Sequence, residues 1–170
     1  MKTYFGTKKC RAKPMTRLEY NNLRQWEMPA DEDGTDEGYL VEYLNGGAAN
    51  HPDFENYISW CPKDVFEAAY QSTDAMAFGH AVEAMKTGER VARVGWNGKG
   101  MFLYYVPAAD YPAERNIIGT MKGRFAGDMV PYGAYIAMFT AQGNVVPWLA
   151  SQTDMLANDW RVVSSGDSAA

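Results

Sequence analysis

Three stretches of this 170-residue chain concentrate side chains able to hold a small polar ligand. The first runs from Arg93 through Gly95-Trp96-Asn97-Gly98-Lys99-Gly100. Glycines let the backbone approach a ligand closely, and successive turn amides can cradle an anion. The spacing is not that of a nucleotide-phosphate loop, and the segment leads into a strand rather than a helix, so it is no dinucleotide fingerprint. Read alone, it is first a hairpin turn and second an anion site. The second stretch is Val146-Pro147-Trp148-Leu149-Ala150-Ser151-Gln152-Thr153-Asp154. An indole held stiffly behind a proline is a platform for a base, with four polar side chains beside it. Equally, Ser151 with Asp154 is a helix cap and Trp148 a core residue. The third group is Tyr104, Tyr105, Tyr111, Tyr132 and Tyr135. Tyrosines at this density in strands are mainly sheet packing.

Catalytic and metal chemistry find little support. No serine sits in a nucleophile elbow, and no Cys–His pair or set of metal ligands has a recognised spacing. Cys10 and Cys61 match no zinc or redox pattern and are expected to be small buried hydrophobes. Asp110 with Glu114 is a close carboxylate pair, expected in a loop. The run Asp31, Glu32, Asp33, Asp36, Glu37 lacks a glycine where a calcium loop needs one, and reads as a solvated acidic turn. The chain is therefore not expected to be an enzyme or to carry a cofactor.

Charge narrows the partners. Residues 1–74 hold eight Lys/Arg against thirteen Asp/Glu, and residues 75–170 hold eight of each. Neither half offers the basic face that a long nucleic acid requires. The longest apolar run, Met101 to Ala109, is too short to cross a bilayer, and the first thirty residues contain no apolar leader core. A cytoplasmic protein is expected.

Two modules must position these groups, with a joint near Gln71 to Ala75 and boundaries drawn at 1–74 and 75–170. The first is a small α+β module. It has a strand over Thr3–Cys10, a helix capped by Thr16 with Glu19 and carrying Leu18 to Trp26, strands over Gly38–Tyr43 and Tyr57–Trp60, and a helix after Pro62 facing Val65, Phe66 and Ala69 inward. The second is also α+β, a small antiparallel sheet with a packed N-terminal helix. Asp74 is placed to cap that helix, Phe78, Ala81, Val82 and Met85 recur at helical spacing, and Gly88 can close it. Strands are expected over Val91–Val94, Met101–Val106, Tyr135–Thr140 and Trp160–Val163, with a turn at 141–144 and a helical turn over Met155–Asn158. Tyr111 to Tyr132 reads as a long connection, and 164–170 as a frayed tail.

The run Phe78 to Arg93, then Gly95-Trp96-Asn97-Gly98-Lys99-Gly100-Met101, then Val146-Pro147-Trp148 to Leu156 with Asp159-Trp160, resembles the second Thoeris anti-defence family of phages. The resemblance covers about residues 75–163. It implies a homo-oligomeric sponge, a dimer or tetramer, that sequesters without cleaving the cyclic ADP-ribose isomer of Thoeris signalling; some relatives also take up cyclic oligonucleotides. Under that resemblance, Trp96 and Trp148 stack on the purine, and Asn97, Ser151, Gln152, Thr153 and Asp154 read base edges or ribose hydroxyls. The Gly98–Gly100 amides with Lys99 or Arg93 receive the pyrophosphate, and Thr140 is a second-tier candidate. It gives the acidic module no ligand role. The competing reading is an interaction module that binds a host protein through that acidic half.

Overall fold

The computed structural model describes residues 1–4, 6–113 and 120–164. Glu114 and the tail 165–170 lie outside the described residues. The chain divides into two compact units, 1–71 and 72–170.

Unit 1 is a three-stranded antiparallel sheet in the order β1 (Cys10–Pro14), β2 (Gly38–Tyr43), β3 (Ile58–Pro62). Helix α1 (Arg17–Arg24) opens on the expected capping box, with the Thr16 hydroxyl accepting from the Glu19 amide while the Glu19 carboxylate accepts from the Thr16 amide. It ends earlier than expected because Gln25 turns left-handed (φ 56°) and its amide bonds back to Asn21 and Asn22. Tyr20, Leu40 and Ile58 form the core, joined by Met15, Leu23, Phe54 and Trp60. The opposite sheet face carries Tyr39, stacked on Phe66 of α2 (Lys63–Ala69) at 4.3 Å. Phe66 alone of the expected inward trio packs there; Val65 is exposed.

Several expectations for unit 1 change. The first strand lies at Cys10–Pro14 rather than Thr3–Cys10, because its register against β2 begins with Cys10 opposite Tyr43 and runs to Pro14 opposite Tyr39. The third begins and ends later than expected, at Ile58–Pro62. The acidic turn is tied into the unit: the Arg17 guanidinium donates to Glu32 at 2.6 Å and Lys63 to Glu37 at 2.6 Å.

Unit 2 is built on a five-stranded antiparallel sheet ordered β10-β4-β5-β8-β9: Trp160–Val162, Val91–Arg93, Phe102–Val106, Tyr135–Phe139 and Val145–Pro147. Register decides which face is buried. Val91 lies opposite both Leu103 and Val162, and Leu103 opposite Met138, so these side chains share one face. Helix α3 (Phe78–Lys86) lays Ala81 and Met85 on it, and Trp160, fully buried, closes the cluster with Met76. Asp74 does not cap α3: Ala77 occupies the N-cap with no side-chain bond. Gly88 follows the helix with φ 96°, as the C-terminal glycine rule expects. Edge strand β9 ends at Pro147, and the next amide, Trp148, donates to the Ile136 carbonyl of β8 at 2.9 Å.

Two further segments differ from the sequence reading. Ala109–Pro112 (β6) and Met129–Tyr132 (β7) pair as a separate antiparallel ribbon, which places Asp110 in a strand and draws the ends of the supposed long connection together. The last helical turn, α4, is Gln152–Met155, one turn earlier than expected, because Ser151 and Asp154 form a capping box around its own first residues.

Trp160 is the largest of the fully buried side chains. Truncating it to alanine is expected to destabilise unit 2 by about 3–5 kcal/mol in urea unfolding of the full chain. A loss below about 1 kcal/mol would show that the sheet does not depend on this indole.

Candidate ligand-binding site

Arg93 ends β4, and its side chain reaches across the end of the sheet to two carboxylates far away in sequence. Its Nε donates to Asp159 Oδ1 at 2.8 Å and one Nη donates to Asp154 Oδ1 at 3.0 Å. The same Nη also lies 3.4 Å from the Thr153 carbonyl. Asp159 in turn accepts from the Gly95 amide at 3.1 Å. One guanidinium and two carboxylates thereby fasten the glycine-rich loop, α4 and the approach to β10 to one another. Each member's ionisation responds. The hydrogen bonds to Asp159 and then Asp154 raise Arg93 above its ordinary value. The Arg93 hydrogen bond holds Asp159 below the usual carboxylate range. Burial pushes Asp154 upward, but hydrogen bonds from Ser151, Arg93 and Trp96 outweigh it and leave it lowered.

Against this clamp stands an aromatic cluster. Trp160 lies edge-on to Trp96 (5.5 Å, 77°) and to Trp148 (6.0 Å, 81°), and Phe78 of α3 approaches both Trp148 and Trp160. The Trp160 indole N–H donates to the Asp154 carbonyl at 3.0 Å, coupling cluster to clamp. Trp96 and Trp148, 6.4 Å apart, are half-buried: each packs against the core on one side and keeps part of its ring accessible. The core reading of Trp148 thus holds for the part of the side chain that faces the cluster.

The candidate residues fall into two sets. Arg93, Ser151, Thr153 and Asp154 are engaged in internal bonds, with Ser151 Oγ 2.8 Å from Thr153 Oγ1 and 2.6 Å from Asp154 Oδ2. Asn97, Lys99 and Gln152 are exposed, and their side chains make no hydrogen bond or ion pair among the described residues. Thr140 closes the β8–β9 turn: its amide donates to the Asn144 carbonyl at 2.8 Å and its hydroxyl accepts from the Asn144 amide at 3.2 Å. That turn touches the glycine loop, since a Cβ on Gly98 would stand 3.3 Å from Ala141 Cβ and would collide with the Met101 side chain. Gly98 is thus required for close packing. The hollow of about 350 Å³ in this unit, lined by Arg90, Phe102, Tyr104, Phe139 and their neighbours, does not include Trp96 or Trp148. No helix among the described residues is long and apolar enough to cross a membrane.

The profile of the Thoeris anti-defense 2-like domain matches residues 76–163, the segment that contains the whole cluster and clamp. The chain belongs to the Thoeris anti-defense 2-like family. Thoeris anti-defense 2 of Bacillus phage SP01 is 42% identical over 89 residues, which are 52% of this chain and 96% of that protein. Unit 1, which ends at Gln71, lies wholly outside the matched segment. Within the Tad2-like domain, Asp159, Trp160 and Phe78 join the site although spacing alone does not nominate them. Asp159 and Arg93 lie 66 positions apart, and only the Trp160–Arg93 strand register brings them together.

The clamp sets a pH dependence. Asp154 and Asp159 are held below their ordinary value of 3.8, so their stabilisation is complete above that value and is lost as pH falls through the lowered folded values. Arg93→Ala is expected to cost about 2 kcal/mol at neutral pH, from lost charged hydrogen bonds that are partly solvent-screened. In thermal melts, the gap between wild type and variant should narrow as pH falls below 3.8 and the two lowered carboxyls take up protons. A gap independent of pH would refute an ionic role for Arg93.

Proposed function

We propose that this chain is a phage anti-defence protein that sequesters a cyclic nucleotide messenger, a cyclic ADP-ribose isomer, without cleaving it. One observation carries the reading: the family match and every candidate ligand residue fall on the same segment, where two half-buried indoles stand beside unpaired polar side chains. In this proposal Trp96 and Trp148 stack on the purine, a contact contributing roughly 1–3 kcal/mol per base. Asn97 and Gln152 read base edges and ribose hydroxyls, since both have hydrogen-bonding capacity to spare. Thr153 keeps acceptor capacity, whereas Ser151 Oγ donates to Asp154 and accepts from the Asp154 amide and the Thr153 hydroxyl, and acts through position. Lys99 with the Gly98–Gly100 amides takes the pyrophosphate. Arg93 and Asp154 act on the ligand through position, because their charges satisfy each other.

Sequestration demands tight binding, and the hollow of about 350 Å³ in this unit does not include the indoles. We infer that a second copy supplies the missing wall, in a dimer or tetramer. Leu149 (92% exposed) and Leu156 (77%) flank the site block in sequence and are apolar surface that such a contact would cover.

Calorimetry of the full chain against the cyclic ADP-ribose isomer tests this reading. Trp148→Ala and Lys99→Ser should each weaken binding about ten- to hundredfold, and Lys99→Ser, being at an exposed position, should leave the melting curve unchanged. Heating the complex should return intact ligand. Undiminished binding in both variants refutes the site; recovery of a cleaved product refutes sequestration. Light scattering showing only monomer at working concentration removes the shared-wall argument.

A further inference from the structure

Unit 1 holds a second concavity, unrelated to the indole site and outside the family match. It is a hollow of about 450 Å³ lined by Lys8, Tyr43, Asn45, Gly46, Gly47, Tyr57 and Ser59. Tyr43 ends β2 and Tyr57 precedes β3. Their rings stand 6.3 Å apart and tilted by 33°, a tilted pair rather than a face-to-face stack. Tyr43 is fixed from two sides: the Lys8 ammonium sits 4.8 Å above its ring, and the Ser59 hydroxyl donates to its oxygen at 3.3 Å. The Tyr70 phenol, pushed up to about 12 by burial and by neighbouring Tyr43, also bonds there.

The rim is the Asn45-Gly46-Gly47 turn. Gly47 has φ 94°, and a Cβ there would press to 2.8 Å of the Tyr57 Cβ, so only glycine lets the turn close onto the ring. Asn45 is pinned, its side-chain oxygen accepting from the Lys9 amide at 3.1 Å. The Gly46 and Gly47 amides meet no acceptor among the described residues. A rigid ring, a half-exposed second ring, one ammonium and two unpaired amides line one hollow. Such a lining matches a flat aromatic group bearing negative charge.

We propose that this hollow binds a small aromatic phosphate of the nucleoside-monophosphate class, with the ring laid against Tyr57 and the phosphate held by Lys8 and the Gly46–Gly47 amides. The pocket gives unit 1 a ligand of its own, and it stands whether or not the indole site takes a cyclic messenger.

Amide chemical shifts of the full-length chain, titrated with AMP, adenosine and inorganic phosphate, test the assignment. AMP should produce saturable shifts at Gly46 and Gly47, with those of Gly98 and Gly100 unaffected. Tyr57→Ala and Lys8→Ser should each weaken that binding by about tenfold. Lys8 is exposed, so its variant should keep the wild-type melting curve. Adenosine and phosphate should each bind more weakly than AMP. The proposal is overturned by the absence of shifts at Gly46 and Gly47, by shifts that survive both substitutions, or by phosphate alone binding as well as AMP.

Discussion

A single guanidinium organises one end of the Tad2-like domain. Arg93 satisfies Asp154 and Asp159 together, and these partners lie 61 and 66 residues further along the chain. Asp159 carries the constraint onward to the Gly95 amide, and the Asp154 carbonyl carries it to the Trp160 indole. A planar fork suits this task because it can serve two acceptors in fixed directions, which an ammonium cannot. The triad thereby fixes the start of the glycine-rich loop and the buried indole of the cluster through bonds that satisfy its own charges. Partial burial keeps the triad strong without the full desolvation cost of interior charges.

Legibility in the sequence followed the range of the interaction concerned. Local signals read well: the Thr16–Glu19 and Ser151–Asp154 caps, the helical spacing of Ala81 and Met85, and the strand over Gly38–Tyr43 all reappear in the structure. The α+β class follows from those elements. Signals that depend on pairing partners read poorly. Nothing in Thr3–Cys10 reveals where the first strand's register against β2 begins, and the β6–β7 ribbon leaves no local signal because its strands pair across a long separation. Asp74 has the chemistry of a cap but stands too far ahead of α3.

The site shows the same division. Trp96, Trp148 and the polar run from Ser151 are visible as composition, whereas Arg93 looks like a ligand cation until its two carboxylates are seen. Spacing cannot separate an arginine that meets a phosphate from one that meets aspartates. Trp160 illustrates the converse: it is an indole of the same cluster, but the sheet register turns it wholly inward.

The proline that ends β9 has a bearing on how copies of this chain can meet. Trp148 spends its amide on β8, so the alternation of an antiparallel ladder turns the Pro147 nitrogen toward the open flank, where it carries no hydrogen. With three residues and one donor missing, that flank is a poor template for an incoming strand. That edge is thereby guarded against taking up a strand from another molecule, which leaves any meeting of copies there to side chains, where recognition is selective rather than generic.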